Sequence, residues 1–201
     1  MKTPQTKTTG SYLTSAICVT APLLALLLIA GVSQARAERR GDRHGNRPPP
    51  VPMALAVPAG NELTSRVAGV GVQIYVWTVN PTNAALARWV FKAPHALLFA
   101  SCEEERGEVV GIHFAGPTWQ SNDGSKVVGT RVASVTVNSN AIPWLLLQTS
   151  STSGNGTFTD TTYIQRLNTV GGLAPATPGT VAGEEALVSY IADYYFYRAK
   201  Q

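Results

Sequence analysis

Cysteine is scarce in this chain. Its 201 residues hold two, Cys18 and Cys102. Cys18 falls in a leader expected to be removed, so an internal disulfide is excluded. Glu103, Glu104 and Glu105 beside Cys102 oppose a reactive thiolate, which leaves that thiol a structural or incidental role. Charge is scarce too. Charged residues make up 14% of the chain, well under the ~25% of an average soluble protein. A charge-rich disordered chain and a coiled coil are therefore excluded.

Other absences narrow the chemistry. His44, His95 and His113 lack the close pairing of zinc ligands, and the acidic run 103–105 with Glu108 lacks the alternating oxygens of a calcium loop. No metal and no cofactor is expected. The chain contains no Walker loop, no G-x-S-x-G elbow and no H-E-x-x-H. Gly69-Val70-Gly71 is followed by Val72-Gln73-Ile74, so the third glycine of a dinucleotide fingerprint is missing. After residue 51 no stretch keeps helical periodicity for three turns, which argues against a helical domain.

What is present begins with a leader. Residues 1–15 carry Lys2 and Lys7 and no acid, residues 16–32 are almost wholly apolar, and Ala35-Arg36-Ala37 offers a small-x-small cleavage site. That order is a secretory signal over 1–37. The 17-residue apolar run is close to the shortest spanning helix, and Arg36, Arg39, Arg40, Arg43 and Arg47 behind it resist translocation. An uncleaved N-terminal membrane anchor is thus the alternative to a secreted or periplasmic protein. Residues 38–52, with Pro48-Pro49-Pro50, form a flexible spacer. The formal charge of +4 lies in these two segments, because from Val51 onward nine bases face ten acids. Such a domain has no footprint for nucleic acid.

From 53 to 201 the apolar period is two. Val70, Val72, Ile74 and Val76 alternate with Gly71, Gln73, Tyr75 and Trp77 as a half-buried strand. Further runs at 88–92, 96–100, 109–115, 127–137, 142–147, 157–165 and 187–197 are separated by turn signals such as Asn122-Asp123-Gly124. Pro94 splits two of them because it cannot donate to a ladder. This spacing predicts a mainly β fold: one antiparallel sandwich or barrel with few short helices.

The candidate site residues are few. If Ile112 and Phe114 face the core, His113 is displayed, with Trp119 and Asp123 across a turn. An imidazole oriented by Asp123, with Lys126 or Arg131 to stabilise an anion, could do acid–base chemistry. Equally, His113 could bond a turn while Asp123-Gly124 closes a hairpin. Near the C-terminus Tyr190, Tyr194 and Phe196 alternate with Ile191, Tyr195 and Tyr197. One face fills the core; the other leaves Tyr195 and Tyr197 partly exposed for stacking, unless a loop covers them. Arg166 and Asn168 could reach a ligand or pin the Gly171-Gly172 turn.

Six blocks in order, 71–75, 113–119, 123–129, 141–147, 163–172 and 192–197, resemble the DUF family 3455, secreted proteins of unknown function. The resemblance runs from Val51 to Arg198 and implies an exported single domain. It supplies no catalytic or binding residue. The residues themselves favour a non-catalytic module for a cell-envelope or extracellular ligand, a glycan among the candidates. His113, Trp119, Asp123, Lys126, Arg166 and Tyr195 are its candidate contacts. An enzyme built on His113, Asp123 and Lys126, and a structural envelope protein, are the alternatives.

Overall fold

The computed structural model describes residues 48–101 and 107–201. The leader, the spacer as far as residue 47, and Cys102 with its three glutamates lie outside the described residues. Eight strands follow in order: β1 (Asn61–Thr78), β2 (Arg88–Ala100), β3 (Val109–Phe114), β4 (Thr118–Ser121), β5 (Lys126–Val135), β6 (Trp144–Ser153), β7 (Thr161–Gly171) and β8 (Glu185–Ala199). Two 3₁₀ turns, Met53–Leu55 and Ala84–Leu86, are the helical elements among the described residues.

Each strand pairs antiparallel with the next, and β8 returns to pair with β1 along nearly its whole length. Of the two architectures the periodicity allows, the chain takes the closed barrel. Closure removes the sheet edges that an open meander would leave. Two elements differ from the sequence reading. β2 runs unbroken through Pro94, because its pairing with β3 begins only at Ala96↔His113 and the ladder on that side has already ended. Residues 118–121 form a four-residue strand wedged between two turns, too short to carry a periodic signal.

The alternation in β1 is as expected, but its polarity is inverted. Gln73, Tyr75 and Trp77 are buried, whereas Val70 is 44% exposed. The reason is geometric. An eight-stranded barrel has a narrow lumen, which β8 fills with Tyr190, Tyr194 and Phe196. The facing strand must then be thin. A Cβ at Gly69 would lie 2.5 Å from Cε2 of Tyr194, and one at Gly71 would collide with the His95 carbonyl. Outside, Val170, Ile191, Val70, Leu97 and Ile112 are register partners across five strands and form an exposed apolar row.

The lumen has two unlike ends. Where β1 begins and β8 finishes, Val67, Leu98, Val127, Phe158 and Phe196 form an apolar plug. Phe158 enters from the β6–β7 connection, and its ring lies 4.4 Å from that of Phe196. The other end carries polar aromatic groups, such as Tyr75, whose hydroxyl donates to the Gly172 carbonyl at 2.6 Å.

A second cluster lies outside the wall. Leu55 in the first 3₁₀ turn is fully buried with Leu146, Leu167, Tyr195 and Tyr197, and Val51 and Val57 pack beside it. The Gln165 amide donates to the Leu55 carbonyl at 2.6 Å, and the Tyr197 hydroxyl donates to Gln165 Oε1 at 2.6 Å. Of the two readings of Tyr195 and Tyr197, partly exposed or covered by a loop, the structure takes the second: they are 1% and 7% exposed, because the segment before β1 covers them.

Candidate functional site

A cavity of about 810 Å³ opens at the polar end of the barrel. Its floor comes from three strands. His113 and Trp119 are register partners on β3 and β4, so their side chains project side by side into the lumen. Their rings stack at 4.3 Å and 10°. Tyr194 from β8 meets both edge-on, at 5.1 and 5.4 Å, and its hydroxyl lies 3.0 Å from that of Tyr190. Leu145 and Leu147 from β6 form an aliphatic wall, and Phe91 and Pro94 from β2 line the side where that strand lacks a partner.

His113 is 2% exposed, since Ile112 rather than His113 faces outward. Of the two readings of His113, the displayed one is therefore corrected and the imidazole bonded at a turn is found: the same inversion that turns the β1 aliphatics out turns this imidazole in. Nδ1 lies 2.8 Å from the Thr118 carbonyl. A carbonyl only accepts, so Nδ1 carries the proton and Nε2 keeps its lone pair. Burial pushes its pKa down to about 3, against the Thr118 bond, and the Arg166 charge adds to the fall. The ring is neutral across the physiological range.

Arg166 projects from β7 into the same cavity. Its Nε–H and an Nη2–H donate to the Pro143 carbonyl at 3.2 and 2.8 Å. Burial lowers its pKa; the hydroxyls of Tyr194, Tyr190 and Tyr75 offset this, and the nearby charge of Arg131 adds to it. Arg131 and Lys92 also line the cavity, and no carboxylate among the described residues does. The Trp119 Nε1–H is buried without a hydrogen-bond partner among the described residues.

The other predicted residues are elsewhere. Asp123 sits in the β4–β5 turn, where burial is outweighed by donors from Ser125 and Thr157. These hold its carboxyl well below the usual range. Oδ1 accepts from the Ser125 N–H and hydroxyl, and Oδ2 from those of Thr157, so the carboxylate ties this turn to the β6–β7 connection. Neither Asp123 nor Lys126 lines the cavity. Tyr195 belongs to the outer cluster, with Arg66 over its ring at 5.5 Å. Asn168 donates to Asp193 outside the lumen.

The structure thus brings together His113, Trp119 and Arg166 from the sequence-predicted set, and joins Arg131 to them. Tyr194, Leu145 and Leu147 belong to the site as well. Their signal was the period of two itself, once the aromatic face is assigned to the lumen. Among the described residues no group of three His, Cys, Asp or Glu gathers to hold a metal.

The family model "Protein of unknown function (DUF3455)" matches residues 58–198, all eight strands nearly to their ends. The chain belongs to that family. No curated protein and no solved structure matches it.

Proposed function

We propose that this DUF3455 protein is a non-catalytic binding module that holds one small organic molecule in the open end of its barrel. The carrying observation is the cavity itself: 810 Å³, walled by leucines and floored by stacked rings. That is the size at which pockets bury most of a drug-sized ligand, roughly 300–1,000 Å³. A small barrel sealed at one end suits one guest.

Binding is favoured over catalysis by the state of His113. Its pKa of about 3 makes it a poor base, and its Nδ1–H is bonded to a carbonyl rather than an orienting carboxylate. The leader pattern over 1–37 supports export, which makes the ligand an envelope or extracellular compound. A glycan stays within that class, since sugar faces stack on aromatic rings.

The test uses N-phenyl-1-naphthylamine, a neutral probe that brightens in apolar surroundings. Saturable binding of one probe per chain is expected, abolished by Leu145→Trp in the cavity wall and retained in Trp144→Phe on the outer wall. No saturable binding, or binding indifferent to Leu145→Trp, would overturn the reading.

A further inference from the structure

The charges around the cavity are one-sided. Lys92, Arg131 and Arg166 line it, without a single carboxylate among the described residues. Lys92 is engaged at the rim, where Nζ lies 2.6 Å from Oε1 of Glu185. Arg131 and Arg166 have no ion-pair partner among the described residues. Two guanidinium groups that feel each other's charge repel, and the partial burial of Arg166 raises the cost. Such an arrangement is relieved by an anion between them.

The neighbours of the pair limit what the anion can be. Pro143 holds the Arg166 fork in place through one edge, fixing its direction into the lumen. The Trp119 Nε1–H is a further buried donor without a partner among the described residues. His113, neutral and stacked flat on Trp119, adds a ring face rather than a charge. Leu145, Leu147 and Phe91 offer no hydrogen bonds, so a bare inorganic ion would leave most of the cavity unmatched.

Building on the binding reading above, we propose that the cavity is specific for an organic anion: a small acid whose oxyanion head sits between Arg166 and Arg131 and whose aromatic or aliphatic body lies against the His113–Trp119 stack and the leucine wall. Arg166 is the anchor, because the Pro143 carbonyl pre-positions it and it is partly buried. Arg131 is exposed and completes the clamp from the rim.

The experiment compares two probes of one shape, 2-naphthoate and the neutral 2-naphthalenemethanol, by titration calorimetry on the full chain. The acid is expected to bind at least about tenfold more tightly than the alcohol, the scale of one charge-assisted hydrogen bond. Arg166→Gln should remove that preference, so that the acid binds no more tightly than the alcohol. Arg131→Gln should weaken the acid less, and added salt should erode that part first. Equal affinity for the two probes in the wild type would overturn the inference while leaving the binding reading intact, and needs no variant to fold. So would an Arg131→Gln change that weakens both probes alike. Failure of both probes to bind would remove the binding reading and the inference together.

Discussion

The two ends of the barrel are built from the same strands to opposite effect. At the closed end, Val67, Leu98, Val127, Phe158 and Phe196 meet in an apolar plug whose value is burial. At the open end the chain places Arg166, Arg131 and a neutral histidine around empty volume, which does nothing to stabilise the folded state. A protein shaped by stability alone would have filled both ends alike. The contrast separates the part of the lumen that holds the fold from the part that is free for a ligand.

That contrast breaks most readily at the plug. Phe158→Ala is expected to cost about 3–5 kcal/mol in chemical denaturation, the range for deleting a buried phenyl ring. Leu145→Ala in the cavity wall should cost about 1 kcal/mol, since its neighbours already border open space. Similar losses at both positions would contradict the division of labour.

Acid sharpens it next. His113 titrates at about 3 in the folded chain and near 6.5 when unfolded, so between those values the unfolded state binds the extra proton. Stability from the neutral ring is present in full above pH 6.5. It falls by roughly 1.4 kcal/mol per pH unit on descending toward pH 3. His113→Gln should flatten that limb of the curve. Asp123, whose folded pKa is depressed, destabilises in the same direction only at lower pH. A wild-type slope unchanged by His113→Gln would mean that the imidazole is not buried neutral.

The outer cluster gives the next effect. Leu55→Ala should cost about 2–4 kcal/mol, because the leucine is fully enclosed between the wall and its own segment. Tyr197→Phe, which leaves the Gln165 amide oxygen without its donor, should cost about 1 kcal/mol. The smallest effect is a near cancellation. Arg166→Leu should change stability by no more than about 1 kcal/mol in either direction, because removing a part-buried cation that has no ion pair offsets the loss of its two hydrogen bonds to the Pro143 carbonyl. A loss of several kcal/mol would make Arg166 a structural residue.

Much of this was legible in the amino-acid order, and the limits were physical. The period of two from residue 70 onward yields strands, and Asn122-Asp123-Gly124 yields a hairpin, with Gly124 in the left-handed region at φ 88°. Periodicity alone does not say which face of a strand points inward when both are apolar. Val70 and Ile112 look more hydrophobic than Gln73 and His113, yet they face out, because the narrow lumen needs glycine opposite Tyr194. Burial of Tyr195 and Tyr197 depends on residues 51–57, more than a hundred positions away in the chain. Asp123 and Lys126, neighbours of His113 in sequence, are separated from it because the β4–β5 turn lies at the sealed end and His113 faces the open one.

The most direct measurement is an NMR titration of the ¹⁵N-labelled chain with 2-naphthoate, read at the indole N–H signals. Trp119 lies on the cavity floor and Trp144 in the outer cluster. The Trp119 signal should move saturably while that of Trp144 stays in place. An unmoved Trp119, or equal shifts at the two, would contradict a ligand site in the open end of the barrel.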